Sequence, residues 1–269
     1  MGRRYQAVSA VRTSLVSVST EQGVRTVVLD RAEARNALSP DLREDLRQAL
    51  LEANDDQDVR AIVITGAGEN FCAGGDVKRM GKNTPSNGAA RISLGRELVE
   101  LIRNLKKPTI AAVQGHAVGA GFGLALATDI ILASETAKFQ FGFIKRGLAP
   151  DSAVPFLLSQ QIGNRRTLHY AMTGEVISGE QAADLGIASK VIGNGNFSEE
   201  VAAFAKNLAD GPTAAYFATR KVVQASHNMT LAQAWEFESF ASAVTSTTGD
   251  HKNSVAAFKA KSSYEFQGE

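Results

Sequence analysis

Thr109-Ile110-Ala111-Ala112-Val113-Gln114-Gly115-His116-Ala117-Val118-Gly119-Ala120-Gly121-Phe122-Gly123-Leu124-Ala125-Leu126-Ala127 sets the pattern for the whole chain. The stretch opens on a short apolar run, passes through closely spaced glycines and ends in a Leu/Ala segment of high helix propensity. Strand, small-residue turn and helix in that order form the unit of parallel α/β structure, joined by right-handed crossovers. The glycines let a ligand approach the main chain closely. N–H groups in the first turn of the helix lack intrahelical acceptors, so negative charge is favoured beside them.

The same pattern recurs on both sides. Thr26-Val27-Val28-Leu29, Ala61-Ile62-Val63-Ile64-Thr65 and Asp129-Ile130-Ile131-Leu132 read as further buried strands. A second small-residue turn, Phe71-Cys72-Ala73-Gly74-Gly75-Asp76, lies just past residues 61–65. Two such turns converging would make an oxyanion hole, each N–H donor contributing about 3 kcal/mol to a transition state. The glycines would equally serve tight helix–strand packing, and the residues alone leave both readings open. A dinucleotide fingerprint fits less well, because Gly123 comes one residue early for G-x-G-x-x-G. No phosphate loop of the G-x-x-x-x-G-K-[ST] type occurs.

Between the strands lie helices. Ser39-Pro40-Asp41 supplies an N-cap, a first-turn proline and an acid near the positive helix end. Leu42, Leu46 and Leu50 then fall on one buried face, with charged residues between them. Residues 97–105 repeat the pattern and stop at Lys106-Lys107-Pro108. From Asn164 onward helices are predicted over 197–208, 214–226 and 231–244, preceded only by a short strand at 190–192. The expected architecture is an α/β body over residues 1–195 and a helical segment over 196–269. Residues 81–89 read as a loop and a candidate mobile segment.

Composition excludes several classes. With 269 residues the chain can bury a substantial core, and its single cysteine, Cys72, allows no intrachain disulfide. Lys plus Arg (29) nearly balance Asp plus Glu (28), which leaves no nucleic-acid footprint. The N-terminus has no apolar segment of the signal-peptide kind. Residues 117–133, the most apolar stretch, are interrupted by glycines and Asp129. The expectation is a soluble, cytoplasmic protein with neither membrane nor nucleic-acid partner. The histidines His116, His169, His227 and His251 show no metal-ligand spacing, so no metal is expected.

Taken in order, several pieces resemble the crotonase (enoyl-CoA hydratase/isomerase) superfamily along nearly the whole chain. They are Arg35-Asn36-Ala37-Leu38, Ile62-Val63-Ile64-Thr65-Gly66, Phe71 to Asp76, Lys107 to Gly115, Gly119 to Asp129, and Thr173-Gly174 with Ala182 and Gly186. The resemblance implies a spiral of repeated strand–strand–helix turns, a C-terminal helical trimerisation segment, and homotrimers or dimers of trimers. It implies an acyl-CoA substrate, with coenzyme A arriving as part of the thioester and no resident cofactor. Carried over by position, the oxyanion donors are the N–H groups of Gly75 and Ala120. Alanine at the second position, where glycine is commoner, keeps the donor and adds a methyl.

Hydratases of the family use two glutamates, which by motif position would fall at Gly123 and Phe143. Neither residue holds a proton, so a two-glutamate hydration is not expected. In Lys145-Arg146-Gly147-Leu148-Ala149-Pro150-Asp151-Ser152, Asp151 falls where several branches carry a catalytic aspartate. These are dienoyl-CoA isomerases, the ring-1,2-epoxyphenylacetyl-CoA isomerase and the 4-chlorobenzoyl-CoA dehalogenases. A lone carboxylate in an apolar pocket near Phe143 and Phe122 would have a raised pKa and suit proton shuttling. Double-bond isomerisation is therefore the favoured reaction. The alternatives are a hydrolase or dehalogenase with Asp151 as nucleophile, and a non-catalytic CoA-binding relative. Arg96 stands where the dehalogenases carry a histidine, whereas Ala153-Val154 replaces the Gly-Gly usual in isomerases. An ordinary helix N-cap remains open for Asp151.

For coenzyme A, the resemblance assigns Arg35, Ala37 and Leu38 with Ala73 and Gly74 to adenine and pantetheine. Gly121 and Phe143 join the substrate-binding set; Lys259 or Lys261, near the C-terminus, could reach a phosphate, with a solvated helix face as the open alternative. Cys72 is expected to be a buried neutral thiol. Trp235, Phe237 and Phe240 share one predicted helix and are expected to pack.

Overall fold

The computed structural model describes residues 14–76 and 85–269. Its main sheet has six strands in the order β1-β2-β3-β4-β6-β9. They are β1 (Val16–Glu21), β2 (Val24–Leu29), β3 (Ala61–Gly66), β4 (Thr109–Val113), β6 (Ile130–Ser134) and β9 (Lys190–Ile192). All neighbours are parallel except β1 and β2, joined by Gln22-Gly23 with both φ positive, as a two-residue hairpin requires. β1 was not predicted. It is an edge strand with only Val16 buried, so it lacks the apolar run that marks the others.

A smaller sheet contains β5 (His116–Val118), β7 (Lys138–Gln140) and β8 (Val176–Ser178). Isolated parallel bridges extend it, Cys72 to Ala117 and Leu38 to Gly75. Successive turns of chain thus lay a long strand in the large sheet and a short segment in the small one. That is the expected strand–strand–helix spiral.

The helices complete each turn. α1 (Pro40–Asp55) starts as predicted, with the Ser39 hydroxyl accepting from the Leu42 N–H at 3.2 Å. α2 (Pro85–Asn104) follows β3 and α3 (Ala120–Ala127) follows β5. The predicted loop at 81–89 is corrected in part: Pro85 opens α2, and residues 81–84 lie outside the described residues. α4 (Val154–Thr173) is broken at Gly163, whose φ of 77° and ψ of 160° suit glycine alone. After α5 (Gly179–Asp184) come α6 (Phe197–Ala209), α7 (Thr213–Ser226), α8 (Leu231–Thr245) and α9 (Gly249–Lys259).

The main core fills the space between one face of the large sheet, helices α1 to α4 and the small sheet. A second cluster lies under α6 on the opposite face, around Val63, Ile110 and Leu132. Asp129 and Arg220 tie the helical segment to the body. The Arg220 Nε donates to Asp129 Oδ1 at 2.5 Å and its Nη2 to the Lys107 carbonyl at 2.6 Å. Within the single chain, Trp235 and Phe240 on α8 are 68% and 71% exposed. Among the described residues, no helix is long and apolar enough to cross a membrane.

Candidate active site

The two glycine turns come together as neighbouring backbone segments. Leu38 N–H donates to the Gly74 carbonyl at 2.7 Å, Cys72 N–H to His116 at 2.8 Å, and Val118 N–H to Cys72 at 2.9 Å. Segment 72–75 is therefore held along both edges. In the parallel bridge between Leu38 and Gly75, residues 74 and 76 face Leu38, so the Gly75 N–H points to the other side. That side holds the start of α3. Gly74 has φ +87°, and a Cβ there would sit 2.4 Å from the Val118 carbonyl oxygen and 3.5 Å from the Ala120 nitrogen. Glycine is thus required both by conformation and by the closeness of the second turn. Ala120 is the first residue of α3, so its N–H has no acceptor within its own helix.

Buried polar groups brace the first turn. Asn36 is fully buried, and its Nδ2 donates to the Ala67 and Asn70 carbonyls at 3.0 and 2.7 Å. Arg31 pairs with Asp76 at 2.8 Å, closing the far end of the segment. Cys72 Sγ donates to the Asn36 carbonyl at 3.1 Å, and burial pushes its thiol up to about 12. Cys72 is the inert, neutral side chain expected.

A cleft of about 130 Å³ opens over these turns. Ala73, Gly74, Gly75, Val118, Gly119 and Ala120 form one wall. Phe141, Phe143, Leu148 and Asp151 line it too, together with Arg43, Lys145 and Arg146. Gly119 packs close to the Phe143 ring, with its Cβ position 3.4 Å from ring atom Cζ. The cleft therefore gathers Gly75, Ala120, Asp151, Ala73, Gly74 and Phe143 from the sequence-based set.

Asp151 is not a helix cap. α4 begins at Val154 with Ala153 at the N-cap, where no side chain caps the helix. Ser152 and Ala153 are both left-handed, with φ of 56° and 58°. Non-glycine residues held this way cost about 1–3 kcal/mol each and cluster at functional sites. The Ser152 Oγ donates to Asp151 Oδ1 at 2.8 Å. The expectation of a lone carboxylate in an apolar pocket is therefore corrected: a hydroxyl bonds it and three cations share its cleft. Phe122 is also corrected. It is fully buried among Phe139 and Phe141, on the core side of α3.

Gly123 and Phe143 are the positions to which the resemblance assigns the two hydratase glutamates. A Cβ at Gly123 would lie 2.4 Å from the Ser152 carbonyl oxygen and 3.0 Å from the Ser152 Cβ, so no side chain fits. Phe143 fills the other position with an aromatic ring. The turn carrying Asp151 occupies space that a first glutamate would need.

Other expected contacts divide. Gly121 turns its α-carbon toward Cys72, 2.3 Å from the Cys72 carbonyl at the Cβ position, and is not among the cleft residues. Leu38 is 3% exposed within the main core, which leaves only its backbone for a ligand. Ala37 is buried, and Arg35 is exposed, its carbonyl accepting from Ala73 at 2.9 Å. Lys259 and Lys261, at the end of α9, are exposed and not among the cleft residues. His116 lines a separate groove beside Asn70 and Lys138, and burial, with Lys138 and Arg35 nearby, lowers its pKa. Arg43 was missed, because sequence placed the charges of α1 outside the leucine stripe. It is 8% exposed, and its Nη1 shares the face of Gly95 with Ser152 Oγ, each 3.3 Å from the Cβ position.

Comparison with known proteins agrees with this geometry. The enoyl-CoA hydratase/isomerase family model matches residues 19–269. The 1,2-epoxyphenylacetyl-CoA isomerase of Escherichia coli K12 is 32% identical over 92% of this chain and 96% of its own. A 4-chlorobenzoyl coenzyme A dehalogenase of Arthrobacter sp. is 29% identical over 83% and 82%. The crystal structure of an enoyl-CoA hydratase from Polaromonas sp. JS666 superposes with a TM-score of 0.89 at 30% identity, covering 93% and 99%. The chain belongs to the enoyl-CoA hydratase/isomerase family, in the crotonase fold. It is an acyl-CoA enzyme of that family, and relatives with isomerase, dehalogenase and hydratase names share its scaffold.

Proposed function

We propose that the protein isomerises a double bond in an acyl-CoA thioester, with Asp151 as acid and base. The observation that carries this reading is the cleft's composition: Asp151 lines the same cleft as Gly75 and Ala120, while the positions that the resemblance gives to both hydratase glutamates hold no acid. In the proposed cycle the Asp151 carboxylate takes a proton from a carbon of the acyl chain. The electrons move onto the thioester oxygen, which accepts from the Gly75 and Ala120 N–H groups. Asp151 then returns the proton to a different carbon, and the double bond is displaced with no change in mass. Phe143 and Leu148 give the acyl chain an apolar wall.

Coenzyme A belongs to the substrate in this reading. Arg35, Ala37, Ala73 and the Leu38 backbone flank its adenine and pantetheine. Homotrimers or dimers of trimers are proposed as the working state. The exposed Trp235, Phe240, Val244 and Phe258, each more than 60% accessible, support a second copy covering α8 and α9. Lys259 or Lys261 would then reach a phosphate across the subunit boundary. The helical segment over 196–269 is proposed as the trimerisation unit beside the body over 1–195.

The test combines a screen of enoyl-CoA and dienoyl-CoA thioesters with Asp151→Asn. Ultraviolet absorbance and mass spectrometry separate the outcomes, since isomerisation keeps mass, hydration adds water and hydrolysis releases CoA. The expected result is an isomerised product lost in Asp151→Asn while acyl-CoA binding persists. More than a tenth of wild-type turnover in that variant would refute the role of Asp151. An acyl-enzyme trapped on Asp151 would replace isomerisation with the nucleophilic, dehalogenase-like reaction.

A further inference from the structure

We infer that the acyl group this cleft accepts carries its own anionic group, a second carboxylate distal to the thioester, held by Lys145 and Arg146. The inference deepens the acyl-CoA reading of the same site and rests on it.

The cleft's charges do not balance. Among the described residues its lining holds Arg43, Lys145 and Arg146 against the single carboxylate of Asp151. Arg43 is accounted for within the protein: it is nine-tenths buried and already has a partner there. The other two cations differ. A single 3-10 turn, Ile144–Arg146, presents both and ends at Gly147, which is left-handed at φ 65°. The Arg146 N–H donates to the Phe143 carbonyl at 2.9 Å, which ties the turn to the aromatic wall. Lys145 lays its methylenes along Gly174, with Cε 3.2 Å from the Cβ position there. Among the described residues neither side chain has a carboxylate partner.

Both side chains are exposed at the cleft and have no carboxylate partner among the described residues, so they are available to an anion that arrives with the substrate. An acyl chain ending in carboxylate supplies the missing counter-charge, bidentately in the case of the guanidinium. A neutral chain of equal length leaves both cations as they are. The developing negative charge at the thioester oxygen is served separately by backbone N–H groups, so the cations are not needed for it.

Matched pairs of saturated thioesters test the inference in the full-length protein. Succinyl-CoA is compared with butyryl-CoA, glutaryl-CoA with pentanoyl-CoA, and adipoyl-CoA with hexanoyl-CoA, by titration calorimetry at low ionic strength. At least one carboxylated partner should bind about tenfold more tightly, the scale of two exposed ion pairs. The double variant Lys145→Met, Arg146→Met keeps the methylene bulk and should bring that ratio within about twofold of one. Free CoA serves as the reference for phosphate binding. Equal affinities within every pair would overturn the inference, as would a preference that survives in the variant. A parallel loss of all affinities including free CoA would also overturn it, because the cations would then serve the CoA phosphates. Failure of every thioester to bind would remove the acyl-CoA reading itself, an outcome distinct from equal binding of both partners.

Discussion

Replacing Gly123 by alanine should reverse the usual sign of a glycine-to-alanine change in a helix. Within α3 the substitution would ordinarily stabilise by about 1 kcal/mol. Here the added Cβ meets the Ser152 carbonyl at 2.4 Å, which is 1.0 Å inside the 3.4 Å limit of ordinary contact. That neighbour is main chain, braced by two left-handed residues, and it cannot swing aside as a flexible side chain would. Overpacking of this kind costs about 1–3 kcal/mol, leaving a net destabilisation between zero and about 2 kcal/mol. The melting temperature should fall by up to about 6 °C. Activity should suffer more, because relief of the clash moves the turn that carries Asp151 by about 1 Å, a displacement worth about 100-fold in rate. Calorimetry and turnover of the identified thioester are measured together. Gly195→Ala is the control, since nothing lies within 4 Å of that position. A Gly123→Ala protein that melts higher and keeps full activity would refute the reasoning.

Two further predictions concern the frame around the site. With its thiol pushed up to about 12, Cys72 is ionised in only about one molecule in 10⁴ at pH 8. A disulfide reagent should leave it untouched in the folded protein and titrate one thiol on addition of guanidinium; prompt reaction in native buffer would contradict the burial. Arg220→Met should destabilise by about 3–5 kcal/mol in urea titration, because Asp129 keeps its charge in a partly buried place and loses its guanidinium. A loss under about 1 kcal/mol would show that water replaces the pair.

Features set by neighbouring residues were the legible ones. Ser39-Pro40-Asp41 starts α1 through a cap that needs only the adjacent turn, and the β-branched runs of β3 and β4 are long enough to declare themselves. β5, β7 and β8 have three residues each, too few for any period, and their pairing is decided by the chain turns that stack them. At the site, backbone positions were easier to read than side-chain directions. Gly74 and Gly121 belong to similar small-residue motifs, yet one lines the cleft and the other abuts Cys72. Phe122 and Phe143 were expected together, but only Phe143 reaches the cleft, because α3 turns residue 122 into the core. Arg43 was hidden by helical geometry alone, as its position beside Leu42 gives no sign that Ser152 and Gly95 close over it.

The cleft wall built from residues 72–75 and 118–120 is made of main chain pinned on both edges by other main chain. Substitution changes side chains, and every residue except proline carries the same N–H. Alanine at position 120 is one case: it adds a methyl that glycine would lack, and its N–H is the same. Such a wall tolerates sequence drift, whereas the opposite wall, formed by Phe143, Lys145, Arg146 and Asp151, is read entirely through its side chains. Selection can therefore rewrite one half of the cleft one residue at a time while the other half is inherited intact. Relatives of this chain carry isomerase, hydratase and dehalogenase names.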